Sequence, residues 1–263
     1  MTTRDAVTGA RDQVRRRTTV TRRQQPRRPR DPDRPRVARC RHRTTTRTRR
    51  THMHDDVLRI GIGGAVGAGK TALVAALVPR LIAAGRHPAV VTNDTYTQED
   101  ARHLRRQLAG VLDPRRVVGV ETGASPHAAV RDDPTVNLLA GAALLERFPD
   151  VDTLLYESVG GDLTFTFSPV LADVAVFVLD TSEGDATPRK RGPAVTASDV
   201  LVINKIDIAA YVRTDLDVMW ADARRVRAGR PVRLTNSLTG EGVDDLQDTI
   251  LALWGERAGA LVP

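Results

Sequence analysis

Gly64, Gly69, Lys70 and Thr71 stand at the spacing G-x-x-x-x-G-K-[ST], which lets successive backbone N–H groups converge on one polyphosphate. The residues between them, Ala65, Val66, Gly67 and Ala68, complete a predicted cradle in which glycine lets backbone approach the oxygens with no Cβ in the way. Lys70 is placed to reach the β- and γ-phosphates, and Thr71 to offer its hydroxyl to Mg²⁺. A glycine-rich turn with a chance lysine is the competing reading. The rest of the chain weighs against it, because lysine occurs only at Lys70, Lys190 and Lys205 while arginine fills the other 37 basic positions. A compact ammonium on a slender stem does what a planar guanidinium cannot.

A second chemical string, Asn204-Lys205-Ile206-Asp207, follows an apolar run. The Asp207 carboxylate can accept from guanine N1–H and N2–H₂, a donor pair that adenine lacks. Buried polar partners left unpaired make such discrimination steep. Asn204 is expected to brace the site and Lys205 to lay its stem on the base. The segment 235–240 is expected to add backbone contacts to the base edge. Two carboxylates complete the set. Asp94 is a candidate for Mg²⁺ or water, against a competing duty as a turn or helix cap. Glu157 occupies the place of a Walker-B acid near the metal.

These residues need a scaffold that brings them to one edge, and the hydrophobic pattern supplies it. Strands are predicted from Leu58 up to the cradle and at 88–92, 116–121, 152–157, 172–180, 199–204 and 231–234. Helices are predicted at 70–84, after Glu99-Asp100, at 134–148 and at 243–254. The runs at 172–180 and 199–204 are almost continuously apolar, as parallel strands covered on both faces are. Strands alternating with helices imply a doubly wound α/β fold with a mostly parallel sheet, whose ligands sit at the carboxyl ends of the strands.

Charge divides the chain. Residues 1–54 hold 18 Arg and 4 Asp, a net of +14; with +8 for the whole chain, residues 55–263 are left at −6. The first stretch has few apolar residues and is expected to be a disordered basic tail, with the folded nucleotide-binding domain at 55–263. Met53 is the expected initiator, the preceding residues being a mis-assigned start or a functionless extension. Arginines in the tail would attract nucleic-acid phosphate, but no aromatic residues accompany them to stack bases. The single cysteine, Cys40, fits a reducing cytoplasm. No apolar run approaches a membrane span.

Together the cradle, Thr-Asn-Asp-Thr-Tyr-Thr-Gln-Glu-Asp from residue 92, Val-Glu-Thr-Gly from 120, Phe-Ser-Pro from 167, Pro-Arg-Lys from 188 and Val-Ile-Asn-Lys-Ile-Asp from 202 resemble the UreG family of urease accessory GTPases over residues 57–255. The resemblance implies a P-loop, SIMIBI-type G domain that binds GTP and Mg²⁺ and forms a homodimer; GTP hydrolysis is expected to be slow, because no arginine finger or glutamine is evident in the sequence. It also implies nickel as cargo, delivered to the urease apoprotein with UreD (also called UreH), UreF and often UreE.

Two departures from the family pattern bear on function. The family's Cys-Pro-His, which holds nickel or zinc between subunits, is Ser125-Pro126-His127 here. A hydroxyl that stays protonated is a poor ligand for a borderline-soft ion, which leaves His127 alone. After Glu157 the family's Glu-Ser-Gly-Gly-Asp-Asn-Leu reads Glu157-Ser158-Val159-Gly160-Gly161-Asp162-Leu163. Either Asp162 shifts into the role of the missing aspartate or one switch carboxylate is lost. The rival readings are a diverged guanine-nucleotide switch that no longer handles nickel or serves another metalloenzyme, and a nucleic-acid-binding protein acting through the tail.

Overall fold

The structure is a computed structural model, and it describes residues 56–123 and 127–259. Seven strands form one sheet: β1 (Leu58–Gly64), β2 (Pro88–Asp94), β3 (Val117–Glu121), β4 (Thr153–Glu157), β5 (Val174–Asp180), β6 (Val200–Asn204) and β7 (Val232–Thr235). Their order is β3-β2-β4-β1-β5-β6-β7, and every pairing is parallel. Helices α1 (Lys70–Ala83), α2 (Glu99–Gln107), α3 (Thr135–Arg147), α4 (Pro193–Ala197), α5 (Leu216–Val226) and α6 (Val243–Gly259) make the connections. The predicted doubly wound α/β architecture is present. Among the described residues no helix is long and apolar enough to cross a membrane.

The period-2 alternation of β1 shows how sequence sets the two layers. Leu58, Ile60 and Ile62 point to one face and pack with Leu73, Leu77 and Leu81 of α1 and with Leu246 and Ile250 of α6. The opposite face of the same strand carries Gly61 and Gly63. A Cβ at Gly61 would lie 2.8 Å from the Phe167 ring, and one at Gly63 would collide with Phe165. These glycines make room for a T-shaped aromatic pair, its centroids 5.0 Å apart, that covers the sheet centre. The second core layer continues through Tyr156, Phe177, Leu179, Ile203 and Met219.

Helix boundaries follow the expected caps. Gly85, at φ 79, ends α1, and its N–H donates to Ile82 O. Helix α6 runs five residues beyond the predicted 254, to Gly259. Helix α5 has no counterpart among the predicted elements; its N-cap Asp215 accepts from the Val218 N–H.

After α5 the chain turns through Ala228 and Gly229, both at positive φ, leaving Arg227 1 % exposed. Its guanidinium donates to Val195 O, Ser198 Oγ (2.9 Å), Ser198 O (3.0 Å) and Asp199 O (3.0 Å). Burial, with Arg230 nearby, pulls its pKa down to about 10. Arg227 thereby satisfies the carbonyls that end α4. An Arg227→Met protein should lose about 2 kcal/mol of unfolding free energy, because its four acceptors then lose their donor. Urea titration measures this, and an unchanged midpoint would contradict the role.

Candidate nucleotide site

The parallel order places the carboxyl ends of β1, β4, β5, β6 and β7 side by side. Ile62 is in register with Glu157, Asp180 with Asn204, and Asn204 with Thr235. Gly64 at the end of β1 and Gly67 and Gly69 in the loop after it adopt φ of 154, 81 and 93°, conformations that L side chains rarely adopt. Gly69 is the N-cap of α1 and offers no side chain to its first turn. The first amides of α1 are therefore left for an anion. Val66 stands out at 85 % exposed, whereas Ala68 is fully buried.

Lys70 is buried and donates to Ala65 O at 2.9 Å. Burial lowers its pKa, against which Glu157 and Asp100 pull upward. Thr71 Oγ1 donates to Glu157 Oε1 at 2.5 Å. Glu157 Oε2 is buried without a hydrogen-bond partner among the described residues. Burial pushes this carboxyl up to about 7, although the Thr71 hydrogen bond and the Lys70 charge oppose the shift.

Asn204 connects the cradle to the second motif. Its Nδ2 donates to Ala68 O at 2.9 Å. Its Oδ1 accepts from Thr235 Oγ1 (3.0 Å), Ser237 N (3.1 Å) and Ser237 Oγ (2.8 Å). Any Cβ at Gly69 would collide with Asn204 Nδ2, so glycine there is required by packing as well as by φ. Lys205, at φ 61 and ψ 43, turns the chain sharply. Its ammonium meets Asp180 Oδ2 at 2.5 Å. Asp207 is exposed, and its carboxylate takes no partner among the described residues.

Asp94 is brought to the same edge, but its carboxylate is engaged locally, accepting from Thr95 N (2.6 Å) and from Thr97 Oγ1. This is the turn duty weighed above as its competing reading. Asp100, unassigned from sequence, has a half-buried carboxyl raised by burial and by Asp94, with Lys70 opposing. The spacing of Glu99-Asp100 behind Asp94 was the available signal. Asp180 also escaped notice, since only strand register sets it beside Asn204. In the 235–240 segment Asn236 Oδ1 caps the turn, accepting from Leu238 N (3.0 Å) and Thr239 N (3.3 Å).

Asp162 is exposed and closes a turn, accepting from Thr164 N (2.8 Å) and Thr164 Oγ1 (2.6 Å). It is Gly161 that meets the cradle strand, its N–H donating to Gly64 O at 3.0 Å. His127 is half-buried against the Phe165 ring at 5.7 Å. Ser125 and Pro126 lie outside the described residues, and among those described no three His, Cys, Asp or Glu side chains gather as a metal site.

Comparison with known proteins adds to this geometry. Residues 58–233 match the model of the CobW/HypB/UreG nucleotide-binding domain. Urease accessory protein UreG 2 of Streptomyces griseus is 71 % identical over 194 residues, covering 74 % of this chain and 86 % of the relative. The chain belongs to the UreG family of urease accessory proteins. UreG of Edwardsiella ictaluri is 51 % identical over 195 residues, 74 % of this chain and 93 % of that one. Among solved structures, HypB from Helicobacter pylori in complex with nickel superposes with a TM-score of 0.61 at 21 % identity, over 78 % of this chain and 91 % of that one. HypB from Archaeoglobus fulgidus gives 0.58 at 23 %, over 77 % and 92 %. These neighbours share the P-loop NTPase fold. As a UreG-family member the chain is a urease accessory protein with a nucleotide-binding domain, and the cradle is the part of that domain described above.

Proposed function

We propose that this protein is the GTPase of urease maturation, coupling GTP binding and slow hydrolysis to insertion of nickel into the urease apoprotein. The observation that carries the reading is the double engagement of Asn204, which ties the phosphate cradle at Ala68 to the 204–207 string and to Ser237. Phosphate loop and base-selecting strand then form one site for one nucleotide. Gly64 through Thr71 hold the phosphates, Asn204 braces the loop, Lys205 covers the base, and Asp207 selects guanine.

The residues present suit Mg²⁺. Thr71 and Glu157 offer only oxygens, as a hard cation prefers, and Glu157 Oε2 is buried with no hydrogen-bond partner among the described residues. Asp94, whose carboxylate lies at the same strand edge and is held there by Thr95 and Thr97, is assigned as the further oxygen donor that would hold the cation. A bound Mg²⁺ supplies charge that offsets the negative charge on the transferring phosphoryl group. Lys70 neutralises the β- and γ-phosphates, and Asp94 or Glu157 orients water. No arginine finger or glutamine is evident to stabilise the transition state further. With Gly161 where the family has aspartate and Asp162 committed to Thr164, the reading favours slow turnover.

The domain assigned to this task is 55–263. GTP must bind the partner-competent state better than GDP does, or no nickel moves. Partners in the reading are a second copy of the chain, UreD/UreH, UreF, UreE and urease apoprotein, acting in the cytoplasm, with His127 as the remaining nickel or zinc ligand. The diverged-switch rival is decided by metal titration of the dimer. GTP-dependent nickel uptake in the wild type supports delivery, whereas uptake appearing only in Ser125→Cys supports the rival.

Guanine selection is tested by Asp207→Asn. An amide accepts from N1–H and donates to position 2, which suits xanthine, whose oxygen replaces the guanine amino group. GTP affinity should fall by at least about a hundredfold while XTP affinity rises. Wild type that takes up ATP as readily as GTP, or a variant that binds GTP unchanged, would overturn the reading.

A further inference from the structure

We propose that Asp180 is a positioning residue for the purine, acting through Lys205. The inference rests on the nucleotide reading above and names a group that reading does not use.

The Lys205 ammonium is 2.5 Å from Asp180 Oδ2, and the Asp180 side chain is only 10 % exposed. Asp180 is itself fixed at both ends. Its Oδ1 accepts from Ser182 N at 2.8 Å, and its own N–H donates to Glu183 Oε1 at 3.0 Å, a capping box on the turn that follows β5. Thr181, next in the chain, donates from Oγ1 to Asn204 O at 2.7 Å and so ties the same turn to β6. A charged anchor of this rigidity is more than a surface ion pair needs, since exposed pairs contribute little.

The lysine stem runs from this anchor toward the cradle. A Cβ on Gly69 would be in ordinary contact with Lys205 Cε at 3.9 Å. The methylenes therefore lie between the end of β5 and the last glycine of the phosphate loop. Lys205 holds a left-handed backbone, at φ 61 and ψ 43, uncommon for a side chain of its size. That turn sends Ile206 and Asp207 away from the strand. With backbone direction set by the turn and the far end of the side chain set by Asp180, four methylenes become a fixed wall for the purine face. Without the anchor a lysine stem samples many rotamers, and ordering it on binding weakens affinity.

Both Asp180 oxygens are engaged, by Ser182 N and by Lys205, so its loss should leave base choice intact. Asp180→Asn, which keeps the Ser182 cap acceptor, should weaken GTP and GDP equally, by about tenfold. The preference for GTP over ATP should be retained, with the thermal midpoint little changed. Lys205→Met keeps the apolar stem and removes the ammonium, and the double variant should bind GTP no worse than the weaker single one. That non-additivity is the signature of action through Lys205. Fluorescent-nucleotide titration of the full chain with Mg²⁺ gives all four constants. Asp180→Asn binding GTP like wild type, or the two losses adding, overturns the proposal while leaving the GTPase reading standing. Wild type that binds no guanine nucleotide overturns both.

Discussion

A Lys70→Met protein is expected to stay folded and to hydrolyse GTP about a thousandfold more slowly than wild type. The ammonium sits in a costly place, largely withdrawn from water and with burial lowering its pKa. Among the described residues its one hydrogen bond is to Ala65 O in the loop. Fold stability gains little from such a group, and methionine fills much the same volume. In the proposed GTPase, what is lost is a positive charge inside a water-poor cradle, where it would counter phosphoryl charge as that charge develops. Lys70→Arg should fail almost as badly, because a planar guanidinium does not fit the path of the slender stem. Single-turnover hydrolysis of labelled GTP with Mg²⁺, beside the thermal midpoint, measures both effects. A rate within tenfold of wild type for the methionine variant would remove Lys70 from the chemistry.

The parts of this site that were legible in the sequence are those whose chemistry is local. Gly64 to Thr71 is read from spacing because the cradle is made by consecutive backbone amides, and Asn204 to Asp207 because one tight turn carries all its members. What escaped depends on register. Asp180 matters only because β5 and β6 pair so that it faces Asn204, and no periodicity in either strand reports that alignment. Gly61 and Gly63 read as part of a glycine-rich strand, yet their reason is Phe165 and Phe167 more than a hundred residues away. Likewise the buried amides of Asn93 and Asn137 exchange hydrogen bonds of 3.0 and 2.9 Å, with Asn93 also donating to Glu157 O. The pair binds β2 and α3 behind the site, and two asparagines 44 positions apart give no sign of it in sequence. Asp94 shows the opposite limit. Its type and place at a strand end suit metal chemistry and turn capping alike, and the hydrogen bonds to Thr95 and Thr97 are those of the cap.

The buried carboxyl of Glu157 should make stability fall as pH rises toward neutrality. Its pKa is pushed up to about 7 from a model-peptide value of 4.5, first by burial. The folded chain therefore holds a proton that the unfolded chain releases between these limits. Stabilisation from that proton is fully present below the unfolded value and disappears as pH passes through about 7. A shift of this size corresponds to about 3 kcal/mol across the window. Glu157→Gln cannot titrate, so the difference between wild type and variant isolates the group from carboxylates elsewhere that are shifted downward by arginines, such as Asp150. In urea titrations without Mg²⁺ or nucleotide, wild type should lose about 3 kcal/mol relative to the variant between pH 4.5 and 7.5. Mg²⁺ with GTP reverses the sense of the effect, because an oxygen-seeking cation favours the ionised form and binding must expel the proton. Calorimetry at pH 6 in two buffers of different ionisation enthalpy should show roughly one more proton released by wild type than by Glu157→Gln, and no excess at pH 8. Parallel pH profiles for the two proteins, with equal proton release, would mean that Glu157 is already ionised in the folded chain and that its partnerless oxygen is not waiting for a cation.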